Sequence, residues 1–335
     1  GVMFLINALW ASVALVLGGL FYFSITRSEI QVKWGDLNGG LAFQIARNAL
    51  LRLERERYHP KNWRPSILAL SGGAYNRLHL ARYACWFTVD SGIVSLGHII
   101  KGDLKQLHKR RQEAESILRK FILKEKLPAF PVVIVEEDLH AAVKALIQCH
   151  GIGGMRPNTV MLGWSEDPEN AEVFWEIIAT VKEMNRSLII IAAKQKEEQN
   201  YIPEGFINIW WDSVQNVELM LLLAIMLKKN REWRYHSIRI IRTVPPMADV
   251  ENIEKELLEM LAKGRIEADI VIVPTEEPFE AVQTHLHPLA LLFRGFGQGG
   301  NVEEDIQRIP EIQRTIKLPG DVILVYNSGD VSMEA

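Results

Sequence analysis

The chain opens on an uninterrupted apolar run, Val2 to Ile25, which holds no charge and only one strongly polar side chain, Asn7. At 1.5 Å rise per residue a helix over this run is roughly 36 Å long, enough to cover a hydrocarbon core of about 30 Å. Trp10, Phe21, Tyr22 and Phe23 are the kind of aromatics that favour membrane interfaces. A signal peptide fits less well, since no basic segment precedes the run and no small-residue cleavage site closes it; a buried core helix of this length would be unusual. The pattern therefore predicts a transmembrane helix over 1–26. The sequence starts on Gly1 with hydrophobicity already at full strength, so it reads as the tail of a longer membrane protein, beginning at its last span. Arg27, Lys33, Arg47, Arg52, Arg55, Arg57, Lys61 and Arg64 follow, which places the C-terminal side in the cytosol. The later run Leu219 to Leu227 is too short to cross and is bracketed by Glu218 and Lys228.

A connecting amphipathic helix is expected within 27–60. Ala42, Ile45, Ala46, Ala49, Leu50 and Leu53 recur at helical spacing, with Arg47, Arg52, Glu54 and Arg55 on other faces and Asn38 as N-cap. Beyond His59-Pro60, strand and helix patterns alternate. Strands are predicted at Ser66–Leu70, Ile93–Ile99, Val132–Glu136, Thr159–Gly163, Leu188–Ala192, Ile207–Trp211, Ser237–Thr243, Asp269–Val273, Leu289–Phe293 and Val322–Tyr326. Helices are predicted near Asn76–Trp86, Leu104–Lys124, Leu139–Cys149, Pro168–Asn185, Val217–Lys229, Val250–Lys263 and Val302–Arg314. Most strand segments are continuous apolar runs, as expected when helices cover both sheet faces. The alternation means an α/β fold with a largely parallel sheet, as one wide sheet or two halves. The polar linker Lys194–Pro203 divides it into a first half over 61–195 and a second over 196–335.

Hydrophobic residues make up 48% and charged residues 24%, an ordinary balance for a globular body behind an anchor. The formal charge of -3 gives no argument for a nucleic-acid partner. Cys85 and Cys149 lie far apart and fit a reducing compartment, where a disulfide between them is not expected.

Two glycine-rich segments sit where open α/β sheets bind anions, between a strand and a helix N-terminus: Ser71-Gly72-Gly73, and Gly295 to Gly300 with Gly295 and Gly297. Tight turns, which glycine serves far more often than phosphates, are the better reading of both. Neither matches a phosphate-binding fingerprint and no lysine accompanies either, so at most weak ATP binding is expected. Gly151-Ile152-Gly153-Gly154 precedes a strand and reads as a turn. No acid–base or nucleophile set converges, and no Gly-x-Ser-x-Gly elbow occurs, so no enzyme, cofactor or catalytic residue is predicted. His285-Leu286-His287 has no zinc-ligand spacing and reads as loop histidines, and Glu136-Glu137-Asp138 reads as a helix cap. The segment from Lys101 to Lys126 is basic, with an apolar stripe at Ala114, Ile117, Leu118, Phe121 and Ile122. Its charged side is either a solvated face or a contact for anionic lipid, worth about 1 kcal/mol per cation.

Several segments taken together carry a resemblance. Met3-Phe4-Leu5-Ile6-Asn7, Val32-Lys33-Trp34-Gly35, Lys61-Asn62-Trp63-Arg64-Pro65, Gly151 to Gly163 with its Pro157-Asn158-Thr159, and Ile207-Asn208-Ile209-Trp210-Trp211 resemble, in order and spacing, the last span and cytosolic C-terminal domain of the cation–chloride cotransporters. These belong to the amino acid–polyamine–organocation transporter superfamily. The resemblance implies a regulatory, homodimerising domain of two halves akin to universal stress proteins. It further implies an electroneutral symporter of Na+ and/or K+ with Cl-, whose ions are handled by spans absent from this chain. After Trp211 the family usually shows an acidic, glycine-containing turn, where this chain has Asp212-Ser213-Val214-Gln215-Asn216. The regulatory insertions of animal members are also missing, which points to a compact version. The rival reading is a membrane-anchored, universal-stress-like nucleotide sensor.

The residues offer their own reason for self-association. A strand sends Trp210 and Trp211 to opposite faces, each with about 200 Å² to bury. The helix after them, from Val217, is apolar around most of its circumference, more than one sheet face requires.

Overall fold

The computed structural model describes residues 8–27, 34–55, 63–70, 77–89, 91–165, 171–194, 204–212, 214–297 and 308–331. The chain divides into two compact units, Gly1–Glu56 and Arg57–Ala335. The first holds helices α1 (Ala8–Arg27) and α2 (Trp34–Arg55). The described side chains of α1, from Leu9 to Phe23, are almost all exposed around the helix. The N-terminal part of the expected apolar run lies outside the described residues. Among the described residues no helix is long and apolar enough to cross a membrane. Helix α2 starts at Trp34, ahead of Asn38, so the expected N-cap falls inside the helix.

The second unit is a three-layer α/β/α sandwich around a sheet of 10 strands. The strands are β1 (Ser66–Leu70), β2 (Ile93–Lys101), β3 (Phe130–Glu136), β4 (Thr159–Gly163), β5 (Ser187–Ala192), β6 (Phe206–Trp211), β7 (Ile238–Val244), β8 (Asp269–Pro274), β9 (Leu289–Gly295) and β10 (Asp321–Tyr326). Their order is β3-β2-β1-β4-β5-β10-β9-β6-β7-β8. Every pairing is parallel except β5 with β10, which is antiparallel. The winding of β1–β5 therefore recurs in β6–β10 with strand direction reversed, and one continuous sheet holds both.

Each face of that sheet has its own core. On one face lie α3 (Leu78–Phe87), α4 (Leu104–Lys124), α7 (Val214–Lys228) and α8 (Val250–Gly264), over Ile67, Ala69, Ile207, Ile209 and Trp211. On the other lie α5 (Leu139–Cys149), α6 (Ala171–Glu183), α9 (Pro278–His285) and α10 (Ile309–Ile316), over Leu68, Leu70 and Trp210. Alternate residues of each strand thus enter different cores, which is why the strands read as unbroken apolar runs. Asp103, Asp138 and Asp249 cap α4, α5 and α8 by accepting a hydrogen bond from the backbone N–H three residues on.

Trp210 and Trp211 do part to opposite faces, and both are buried within the one chain. The surplus apolar surface of α7 is also absorbed internally: α3 packs on it, and the Asn230 side chain just beyond α7 donates to Trp86 O at 3.0 Å. Trp86, Tyr83 and Trp233 complete this contact as an aromatic cluster. Neither the tryptophan pair nor α7 therefore requires a partner copy. Helix α9 was not expected from the sequence. It is short, with Pro278 in its first turn, and its two buried apolar residues, Phe279 and Val282, give too little periodicity to read. The last described helix runs Ile309–Ile316; the part of the predicted helix from Val302 to residue 307 lies outside the described residues.

Candidate functional site

In open α/β sheets ligands bind at the carboxyl ends of strands, where strand order reverses. This sheet has two such places, between β1 and β4 and between β6 and β9. Because the direction inverts at β5–β10, they open at opposite ends of the sheet. Of the predicted glycine loops, Gly295 and Gly297 fall at the second of these points, at the end of β9. Ser71, Gly72 and Gly73 follow β1 but lie outside the described residues.

At the first crevice a glycine hidden in the family-like stretch, Gly163, ends β4. A Cβ there would stand 2.8 Å from Arg77 Nη1, so the guanidinium lies directly over the strand end. Arg77 also sits at the N-cap of α3, and His79 follows it. Burial lowers the His79 pKa, Asp321 opposes that, and Arg77 lowers it further. The nearby carboxylate of Asp321 is committed to the fold: Tyr83 donates to it at 2.7 Å and the Lys194 N–H at 2.8 Å. Burial is the main cause that lifts the Tyr83 pKa well above its ordinary value. The crevice is thus cationic at its rim.

The second crevice is filled by the protein. A Cβ on Gly295 would meet Asp212 Oδ1 at 2.5 Å and Asn216 Nδ2 at 3.1 Å. Gly295 is a glycine of close approach to a carboxylate that occupies the place a phosphate would take. Arg308 pairs with Asp212 at 3.5 Å. Arg294, at 1% exposure, is bound by Glu311 and Thr315 and lies over Trp210 at 4.1 Å. Its pKa is lowered by burial, while Glu311 and Asp212 act the other way. Asn216 seals the seam: its Nδ2 donates to Phe296 O at 3.1 Å and its Oδ1 accepts from Asn327 N at 2.9 Å. Gly297 has φ +69, and a Cβ there would stand 2.5 Å from Lys182 Nζ. A lysine thus does stand beside this loop, contrary to the expectation from sequence. It comes from α6 and also lies over the Tyr326 and Phe296 rings, at 5.0 and 5.7 Å.

The other motifs have structural work. Trp63 is buried in one core. Asn158 accepts from Ser66 N at 3.0 Å and donates to Arg64 O at 2.7 Å, while its carbonyl accepts from Ser187 N at 2.9 Å. It aligns the starts of β1, β4 and β5. Gly151 and Gly153 form a turn with positive φ. His285 ends α9, with its Nδ1 at 2.8 Å from Ala281 O. Among the described residues no group of three or more His, Cys, Asp or Glu could hold a metal ion. Cys85 and Cys149 are both free, and burial pushes the Cys85 thiol up to about 12.

Residues 77–196 match the model of solute carrier family 12. That match bears out, over this segment, the resemblance to cation–chloride cotransporters. The chain is also similar in fold to the cytoplasmic domain of a prokaryotic cation chloride cotransporter, at 19% identity and TM-score 0.56, covering 80% of this chain and 97% of that one. A universal stress protein from Archaeoglobus fulgidus DSM 4304 is similar at 13% identity and TM-score 0.52, covering 78% of this chain and 97% of that one.

Proposed function

We propose that the Arg57–Ala335 unit is the cytosolic regulatory domain of an electroneutral cation–chloride cotransporter. The observation that carries this reading is the family match over 77–196, on a unit whose fold is that of such a domain. In this reading the apolar residues around α1 belong to the last membrane span, and Na+ and/or K+ with Cl- pass through spans outside this chain. The unit works as a scaffold of two halves, divided near 195, and carries no chemistry of its own. Self-association is part of the proposal: among the described residues β3 and β8 end the sheet without a neighbouring strand, and Ile270 to Val273 of β8 are only half-buried.

Chloride-dependent thallium uptake by cells expressing the complete reading frame tests the transport claim. Uptake that ignores chloride, or a frame without further spans upstream, would sink it. Sedimentation over a range of concentrations tests self-association, and a sharp monomer at high micromolar concentration would remove it.

The second reading, a nucleotide sensor of universal-stress type, is favoured only by Arg77 at the first crevice and by Gly295 and Gly297 at the second. The carboxylate of Asp212 speaks against it at the second.

A further inference from the structure

The outward face of α4 is the largest concentration of one charge sign that this reading leaves unused. From Leu104 to Lys126 there are eight Lys and Arg against three Glu, in a chain whose net charge is -3. Two of those acids are taken up within the fold. Glu115 pairs with Arg119 at 2.9 Å and with Arg111 at 3.7 Å, and Glu125 pairs with Arg82 at 3.6 Å. Lys105, Lys109, Arg110, Lys120 and Lys124 are exposed and make no ion pair among the described residues. At 100° per residue, four of them (Lys105, Lys109, Lys120 and Lys124) project opposite Leu118 and Ile122, the buried side of the helix.

A lysine face alone would be an ordinary solvated surface. Leu123 makes it something else: it is 72% exposed, one turn from Arg119 and Lys120 and next to Lys124, at the edge of that face near the end of the helix. Ile117 is 47% exposed at its flank. An apolar side chain set among cations suits a surface that is anionic outside and apolar just beneath, which is the cross-section of an acidic bilayer leaflet. Nucleic acid would instead favour aromatic side chains for stacking, and this face has none.

We propose that α4 docks on an anionic bilayer surface, with Lys105, Lys109, Lys120 and Lys124 at headgroup level and Leu123 inserted below them. The proposal rests on the reading of this unit as part of a membrane transporter. Each cation strengthens the contact by about fivefold, so reversing four of them weakens it at least about a hundredfold. The attraction decays within about 10 Å at 0.1 M salt, so raising the salt should release it.

The test uses the full chain carrying Cys149→Ser and Leu123→Cys, labelled at residue 123 with an environment-sensitive fluorophore. It is mixed with vesicles of phosphatidylcholine alone or with added phosphatidylserine, and flotation is scored alongside emission. The expected result is a blue shift only with phosphatidylserine, lost at high salt and lost in K105E/K109E/K120E/K124E. A chain that floats with the vesicles while its label stays water-like overturns the docking and leaves the membrane reading standing. Failure to float with either vesicle strikes at the membrane reading itself. A blue shift that survives the four reversals, or one produced by polyglutamate and not by vesicles, also overturns the lipid assignment; the second outcome would give the face to an acidic protein.

Discussion

The two ends of the sheet carry the same strand winding and opposite chemistry. At the end of β4 Gly163 is overlaid by the guanidinium of Arg77, whereas at the matching end of β9 Gly295 is overlaid by the carboxylate of Asp212. The first crevice presents unspent positive charge beside a helix N-terminus. The second has its anion built in, with Arg308 paired to Asp212 and Glu311 paired to Arg294 beside it. A shared topology thus predicts where a ligand could sit, and a single side chain decides whether there is room for one.

The comparison is sharpest at the arginines. Arg294→Met removes a buried cation that faces two carboxylates, and should cost about 3–5 kcal/mol in urea unfolding. Arg77→Met, half-buried and in no ion pair among the described residues, should cost under about 1 kcal/mol. Equal costs would mean that the crevices do not differ in the way described.

The glycines should follow the same order with smaller effects. Gly295→Ala drives a methyl into a short, buried carboxylate and should cost about 1–3 kcal/mol. Gly163→Ala meets only the far end of a long arginine, which can swing aside, and should cost under about 1 kcal/mol. Midpoints of chemical unfolding for the two variants, compared directly, would reverse this ranking if Asp212 were mobile and Arg77 fixed.

A pH effect is the smallest. Burial depresses the folded pKa of His79, so its neutral state stabilises fully above the unfolded value of about 6.5. As pH falls from there through the depressed value, the unfolded chain takes up the proton and that contribution is lost. Its charged neighbours act in opposite senses, Asp321 limiting the depression and Arg77 adding to it. His79→Gln should flatten the stability profile below about pH 6.5. An unchanged acid limb would show that His79 titrates as it does in water.

Strand positions were legible because each strand feeds two cores and is therefore mostly apolar. Helix α4 was legible from its apolar stripe at Ala114, Ile117, Leu118, Phe121 and Ile122, and α5 from the acidic cap that ends at Asp138. Helix α9 was not, since eight residues around two buried side chains carry no readable period. Gly295 and Gly297 are phosphate-loop candidates in the sequence; Gly295 is a glycine because Asp212 and Asn216 come close to its backbone, and Gly297 because its φ is +69. No local pattern could reveal Lys182, which approaches from the other half of the chain. Asp212 was visible as a departure from the family's turn after the tryptophans, but its role depends on β6 lying beside β9. Gly163 and Asn158 lay within a recognised stretch, where resemblance drew attention to the motif and away from the single residues.

The central claim is that this unit is a scaffold and not a nucleotide sensor. Calorimetric titration of the full chain with ATP tests it most directly. The account predicts no binding tighter than about micromolar, since among the described residues one crevice offers Arg77 and the other sets the Asp212 carboxylate against Gly295. Sub-micromolar affinity that disappears on Lys182→Met would contradict it and place a working nucleotide site beside Gly297.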